Sequence, residues 1–519
     1  MTNLIRCAPR QQTPAVRSAD GRLRIALRGT AAFTLVLGLA ATASTAAAAA
    51  STTAPSSRTL ASNTKFFVPL PTSDAIKQEL TLLRNGDRAE AAHLARMLAT
   101  PQAVWFTSGT PAQVKKQVRT TMAEAALERA VPVLVAYDIP GRDCAQFSSG
   151  GALTDADYQA WISAFAAGIG HGKAVVIVEP DGLGNMPSDC NLPAGANYPF
   201  TDQGRISDLS AAVGDLEADP NTAVYLDGTH SAWQQVGNIS QRLVEAGVQQ
   251  AQGFYLDVSN YQYTSNNIAY GTWISDCIAF AQGSGAIGAG AVQPGTYQAE
   301  TGFFNGSCPN QFWNGGPATN FQGTAMNNYV PWNDQTPAAS DLPDADTVVG
   351  INGTYANDLA SVSATASTHF VIDTSRNGEG PNPMTGGADA DMANFTAAPF
   401  DQPAGVISTL QAGNWCNPVG SGLGLTPRAN TGVPLVDAYL WVKIPGESDG
   451  QCDSAAGVRA WDFSAYNPWN VAPSAQPTFD PLWGQVDPAA GAWFGVQALQ
   501  LTADANQSTS SPGNAAPAP

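Results

Sequence analysis

Residues 133–181 read VLVAYDIPGRDCAQFSSGGALTDADYQAWISAFAAGIGHGKAVVIVEPD, and this stretch decides the fold. It begins and ends on short apolar runs, Val133–Tyr137 and Val175–Glu179, that are continuous rather than alternating. Runs of that kind are what strands buried on both faces of a parallel sheet need. Between them Thr154 is placed to cap a helix, because its side-chain oxygen can take an unpaired N–H of the first turn. Tyr158, Trp161, Ile162, Phe165 and Ile169 then recur at helical spacing, and Gly170 ends the pattern. Strand, helix, strand is a βαβ unit, and such units build one parallel sheet.

The same rhythm extends in both directions. Ala103–Phe106 precedes the stretch, and Val224–Asp227, Gly253–Val258, His369–Asp373 and Ala438–Lys443 follow it. Before the second strand, Thr110 and Pro111 open a helix that carries Val114, Val118 and Met122 on one face. The expected fold is therefore α/β, a distorted (β/α) barrel of about seven parallel strands, incompletely closed. In such a barrel the active site lies at the C-terminal ends of the strands. Residues 261–360 and 450–492 break the rhythm and read as long loops, which inside a compact domain usually carry function.

The ends read differently. Residues 1–50 combine six arginines, one aspartate, the apolar run Ala31–Ala40 and an alanine-rich tract. That is the pattern of a secretory signal peptide, and the apolar run is shorter than the ~20 residues a membrane span needs. Residues 51–64 read as a flexible Ser/Thr-rich lead-in, 65–505 as one catalytic domain and 506–519 as a disordered Pro/Ser tail. Outside the leader lie Cys144, Cys190, Cys277, Cys308, Cys416 and Cys452. An even set in an exported chain implies three disulfides, with 15 possible pairings, of which neighbours in sequence order is the simplest. The chain is expected to be extracellular, away from membranes once the leader is removed, and monomeric.

Charge narrows the partners. The formal net charge is −18, and the leader contributes +5, so the remainder carries −23. Such a surface repels phosphate backbones, which excludes nucleic acid as a partner. An uncharged polymer is compatible, and 44 Trp, Tyr and Phe residues offer faces for sugar rings.

Acids cluster just past the strand ends: Asp138 and Asp143, the Glu179-Pro180-Asp181 run, Asp227, then Glu447 and Asp449. Tyr137, Arg142, His230, Trp233, Asn260, Arg376 and Lys443 occupy the same positions. This set calls for acid/base chemistry between carboxyl groups. Glycosidic bonds need that equipment: one neutral acid protonates the departing oxygen, and one carboxylate acts on water or on the sugar. No cofactor or metal is expected. The histidines His93, His171, His230 and His369 are scattered without H-E-x-x-H, and no C-x-x-C or G-x-S-x-G occurs. The GIGHGK run at 168–173 lacks phosphate-loop spacing.

Six ordered motifs carry a family resemblance: AYDIPGRDCAQFSSGG (136–151), VIVEPDGLGNM (176–186), YLDGTHSAW (225–233), FVIDTSRNGEGPN (370–382), NWCNPVGSGLG (414–424) and LWVKIPGESDG (440–450). Together they resemble glycoside hydrolase family 6, the inverting cellulases, over about residues 65–505. The resemblance implies Asp181 as general acid, Asp143 as the acid that raises its pKa and helps steer water, and Asp449 as base. It places Tyr137 beneath the distorted sugar and Ser149 in a loop that closes over it. Asp227 and His230 would line the groove, and Trp105, Trp233 and Trp415 would stack on sugars. Lys443 and Glu447 would bond glucose hydroxyls, while Arg376 and Asn260 orient the network. It also implies the pairs Cys144–Cys190 and Cys416–Cys452, leaving Cys277–Cys308. DGTH replaces the more usual Asp-Ala-Gly-His, and Val236 stands where some cellobiohydrolases carry a tryptophan. The implied activity is endo-acting hydrolysis of cellulose or another β-1,4-glucan. An exo-acting cellobiohydrolase is the alternative, and a non-catalytic glucan-binding protein the alternative of another class.

Overall fold

The computed structural model describes residues 60–190, 198–311, 326, 328, 330–332, 348–381, 402–403, 406, 415–451 and 461–505. Seven strands form one sheet in strict chain order: β1 (Val104–Phe106), β2 (Val133–Ala136), β3 (Ala174–Val178), β4 (Thr222–Asp227), β5 (Gly253–Leu256), β6 (His369–Asp373) and β7 (Val436–Leu440). Every neighbouring pair is parallel. Among the described residues no ladder joins β7 to β1. Two hydrogen bonds span the seam instead: Ala103 N donates to Trp441 O at 2.9 Å, and Trp105 Nε1 to Val442 O at 2.8 Å. The expected open α/β barrel is what forms.

The continuous apolar runs have a direct cause in the pleat. Val133, Val135, Val175, Ile177, Ala223, Tyr225, Tyr255 and Val371 point into the barrel and pack there together. Their alternates Leu134, Val176, Val178, Val224, Leu226, Phe254 and Ile372 point outward into the layer of helices. Both faces are dry, so neither set can be polar.

The helices of that layer start where their caps dictate. Helix α1 (Ser73–Asn85) and α2 (Arg88–Leu98) precede β1, and α3 (Pro111–Leu127) follows it. Thr110 caps α3 in a reciprocal box with Gln113, and Pro111 occupies its first turn. Helix α4 (Asp155–Ile169) begins at Thr154, whose Oγ1 accepts from Asp157 N, and stops at Gly170 with φ 64°. Its face of Tyr158, Trp161, Ile162, Phe165 and Ile169 is buried against the sheet. Truncating Trp161 to alanine would cost about 3–5 kcal/mol. Helices α5 (Asp202–Glu217) and α6 (Val236–Glu245) cross over to β4 and β5 in turn.

Residues 261–360 are not simply a long loop, which corrects the sequence reading. They contain α7 (Thr264–Gly283), α8 (Gly302–Ser307) and α9 (Val348–Ser361). Helix α7 is buried on most of its circumference, including Asn266, Asn267, Tyr270, Trp273, Ile274 and Cys277, so no polar face marks its period. Residues 461–492 remain mostly irregular around a two-stranded ribbon, β8 (Phe479–Asp480) with β9 (Gln485–Val486). Helix α10 (Gly495–Ala503) packs Ala498 and Leu501 against Leu94 and Leu98 of α2. Of the expected lead-in, residues 60–64 are described: Leu60 packs against the barrel interior, and Thr64 Oγ1 donates to Ala61 O at 2.6 Å. The expected leader and tail lie outside the described residues.

Disulfides join Cys144 to Cys190 and Cys277 to Cys308, as expected. Cys416 is also disulfide-bonded, and Cys452 lies outside the described residues.

Candidate active site

The C-terminal strand ends are where the backbone departs from ordinary conformations. Asp143, Cys144, Glu179, Asp181, Thr229, Asp257 and Ser259 all have φ between 46° and 68°. A side-chain-bearing residue in that region costs about 1–3 kcal/mol, and such residues gather at functional sites. Here they turn the chain sharply after β2, β3, β4 and β5, at the mouth of the barrel. A cleft of ≈ 700 Å³ opens there, lined by Trp105, Tyr137, Arg142, Asp143, Ser149, Asp181, Asn260, Trp415, Lys443, Glu447 and Asp449.

Two carboxyl groups on this cleft are pushed in opposite directions. Burial pushes Asp181 well above the ordinary carboxylate range, and the charges of Asp227, Asp143 and Asp449 push it further. Lys443 opposes this without overcoming it. Asp449 is buried too, yet Arg376 and Lys443 outweigh that burial and hold it below its ordinary value. Arg376 bonds it through both guanidinium arms, NH1 to Oδ2 at 3.0 Å and NH2 to Oδ1 at 2.9 Å. Lys443 Nζ stands 3.4 Å from Oδ1, while Tyr261 OH and Asn417 N each donate to Oδ2 at 2.9 Å. Burial and the neighbouring acids thus favour the protonated form of Asp181, while Arg376 and Lys443 favour the anion of Asp449.

Asp143 lies in a turn held by Ser148 N, which donates to its Oδ2 at 2.5 Å. Burial raises its pKa, opposed by that N–H and by Arg142. Arg142 stacks 4.5 Å above the Tyr137 ring and donates to the carbonyls of Tyr137, Thr107 and Ser148. Tyr137 also meets the edge of Trp105 at 5.4 Å. Trp415 is 36% exposed and tilts over Phe147, so one of its faces is open. Burial lifts Glu447 to about 7, opposed by Lys443.

Asp227, His230, Trp233 and Arg376 are not among the residues lining this pocket, although His230 and Trp233 are partly exposed. Asp227 braces the Asp181 turn from behind, accepting from Leu183 N (3.1 Å), Gly184 N (2.9 Å) and Thr229 N (2.8 Å). Burial raises it to about 6, against those three bonds. His230 is driven down to about 3 by burial and is therefore neutral; its Nδ1 accepts from Ala232 N. Trp233 lies 5.6 Å from that ring and fills the space over Gly184, where a Cβ would come within 2.5 Å of the indole. Arg376 is fully buried on the Tyr261 ring at 4.3 Å and acts from beneath Asp449.

The sequence reading missed Tyr261, Asn417 and Phe147. Tyr261 follows Asn260 and Asn417 follows Cys416, so adjacency to chosen residues was the available signal. Their bonds to Asp449 span 188 and 32 residues, and no spacing rule reveals them. Among the described residues no group of three or more His, Cys, Asp or Glu is arranged to hold a metal ion.

A partly open α/β barrel with several carboxyl groups gathered on the cleft at its strand ends is the arrangement of a barrel-type glycoside hydrolase. The chain belongs to glycosyl hydrolases family 6, whose model matches residues 61–283 and 307–505. It is similar to Endoglucanase 1 of Streptomyces sp. (strain KSM-9), 28% identical over 378 residues, covering 72% of this chain and 70% of that one. Similarity to the probable 1,4-β-D-glucan cellobiohydrolase C of Neosartorya fischeri is 25% over 395 residues, 72% of this chain and 62% of the relative. Among solved structures, the Mycobacterium tuberculosis endoglucanase Cel6, in complex with methyl-cellobiosyl-4-deoxy-4-thio-β-D-cellobioside, aligns with TM-score 0.51 and 27% identity. That alignment covers 87% of this chain and all of the other.

Proposed function

We propose that this protein is a secreted, endo-acting β-1,4-glucanase that hydrolyses cellulose or a related glucan with inversion. The observation that carries the reading is the pair Asp181 and Asp449 on one cleft, the first pushed towards its protonated form by burial and acidic neighbours, the second gripped by Arg376 and Lys443. Asp181 protonates the departing glycosidic oxygen, so the leaving sugar never has to depart as an alkoxide. Asp449, acting directly or through water, draws the proton from the attacking water on the opposite face of the ring. Asp143 raises the pKa of Asp181 and orients that water. Tyr137 supports the distorted sugar, and Ser149 belongs to the loop that closes on it. Trp105 and Trp415 stack on neighbouring glucose units, while Asn260, Lys443 and Glu447 bond their hydroxyls. Asp227 braces the Asp181 turn and Arg376 holds Asp449 from beneath, while His230 and Trp233, both partly exposed, line the groove beyond. This chemistry uses no metal or cofactor, and one chain supplies every group, so the monomer is sufficient.

The endoglucanase relatives support internal cutting. The leader pattern and the disulfides support export, because such bridges persist outside the reducing cytosol. Proton NMR of cellotetraose hydrolysis should show the α-anomer first; an initial β-anomer contradicts inversion. Viscosity of carboxymethyl cellulose should drop while few reducing ends have formed. Early release of cellobiose alone at constant viscosity would assign exo action instead.

A further inference from the structure

We propose that Arg205 is a positioning residue that fixes the distance between the loop bearing Asp143 and the loop bearing Asp181. It sits in the first turn of α5, just after the Thr201 cap, and only 4% of it is exposed. One guanidinium arm donates to the carbonyls that follow the acid, Gly182 O at 2.7 Å and Asn185 O at 3.0 Å. The other arm donates to Pro140 O at 3.0 Å, three residues before Asp143. Asn185 N in turn donates to Asp181 O at 2.8 Å, so the Asp181 turn is closed around the arginine's grip. A single planar side chain therefore spans both acid-bearing loops.

Its surroundings reinforce the same junction. Tyr198 OH donates to Gly141 O at 2.6 Å and contacts Arg205. From below, Glu179 accepts from Asp138 N and Ile139 N at 2.9 Å each. Carbonyls of the two loops are held from one side and amides from the other. Burying a guanidinium costs several kcal/mol, and an apolar side chain would fill the space more cheaply. Three of Arg205's hydrogen bonds go to catalytic-loop carbonyls, and its contact with Tyr198 reaches Gly141 O of the same loop, so what the charge secures is the spacing of those loops.

The consequence acts through Asp181, and so rests on the reading of Asp181 as general acid. Its elevated pKa depends on dryness and on the nearness of Asp143. Loops that drift apart admit water and weaken that repulsion, which lowers the pKa of Asp181. The acid then loses its proton at lower pH, and the alkaline limb of the rate profile moves down. Substrate binding by the outer tryptophans is unaffected.

The test is Arg205→Lys in the full-length enzyme. Lysine keeps the charge but cannot bridge both loops, since its donors radiate from one point. The alkaline limb of kcat/KM on cellotetraose should shift to lower pH, with kcat reduced about 10–100-fold and KM nearly constant. Cleavage of a dinitrophenyl cellobioside, whose leaving group needs no proton, should fall much less. An unchanged alkaline limb, with equal losses on both substrates, overturns the inference. If the lysine variant lacks a cooperative melt, Tyr198→Phe takes its place and should shift the limb in the same direction by less; no shift there overturns it equally. Asp181→Ala separates the two claims. Equal loss on both substrates in that variant removes the general-acid reading itself, whereas selective loss there with no shift in Arg205→Lys removes only this inference.

Discussion

Arg376 grips Asp449 by both carboxylate oxygens, at 3.0 and 2.9 Å, from a position with no solvent exposure. A flat, forked cation beneath a buried carboxylate does two things at once. It keeps the group ionised, and it fixes the plane in which its lone pairs point. Arg376→Lys keeps the charge and loses the fork. We expect kcat on cellotetraose to fall about 100-fold through misplacement, with KM little changed. A kcat within twofold of the parent would show that the orientation of Asp449 is not used.

Trp105 and Trp415, two of the tryptophans on the cleft, should separate by readout. Trp415 is open on one face, and its loss removes stacking worth about 1 kcal/mol. Trp415→Ala should raise KM about fivefold and leave Tm unchanged. Trp105 also closes the seam of the barrel through its bond to Val442 O. Trp105→Phe keeps an aromatic face but should lower Tm, by the loss of a hydrogen bond worth about 1 kcal/mol. Equal thermal effects in both variants would contradict the double role of Trp105.

Stability carries a pH signature at the opposite end of the barrel. His369 Nδ1 lies 2.7 Å from Asp437 Oδ1, and Asp437 Oδ2 accepts from Tyr225 OH and Gln252 Nε2. The bond to Asp437 raises His369 above its ordinary value, against the effect of burial. A raised histidine contributes stability that is fully present below about pH 6.5 and lost as pH rises through the higher folded value. The pair is partly exposed, so its worth is about 1 kcal/mol at most. The Tm advantage of the parent over His369→Gln should be largest near pH 5.5 and shrink toward pH 8.5. A constant difference across that range would contradict the linkage.

The strands were readable because β2 and β3 are apolar on both faces, and α3 and α4 because Thr110 and Thr154 announce their starts. Helix α7 was not, because burial on most sides erased the periodicity that marks a half-exposed helix. The acids were readable as residues, since Asp143, Asp181, Asp227 and Asp449 all follow strand ends. Their division of labour came only from the family resemblance. Asp181 and Asp449 are the same residue type beyond the ends of β3 and β7, and the placing of Arg376 and Lys443 is what favours the anion at one of them. The packing of Asp227 on the Asp181 turn and of Trp233 on Gly184 depends on tertiary contacts that no spacing encodes.

The central claim is that Asp181 delivers the proton to the departing sugar. It is tested most directly by Asp181→Ala, measured in parallel on cellotetraose and on a dinitrophenyl cellobioside. The alanine variant should lose about 10²–10⁴-fold on cellotetraose, whose leaving oxygen must be protonated, and far less on the aryl substrate, whose phenolate leaves unaided. Equal loss on both substrates, with folding and ligand binding intact, would contradict the account.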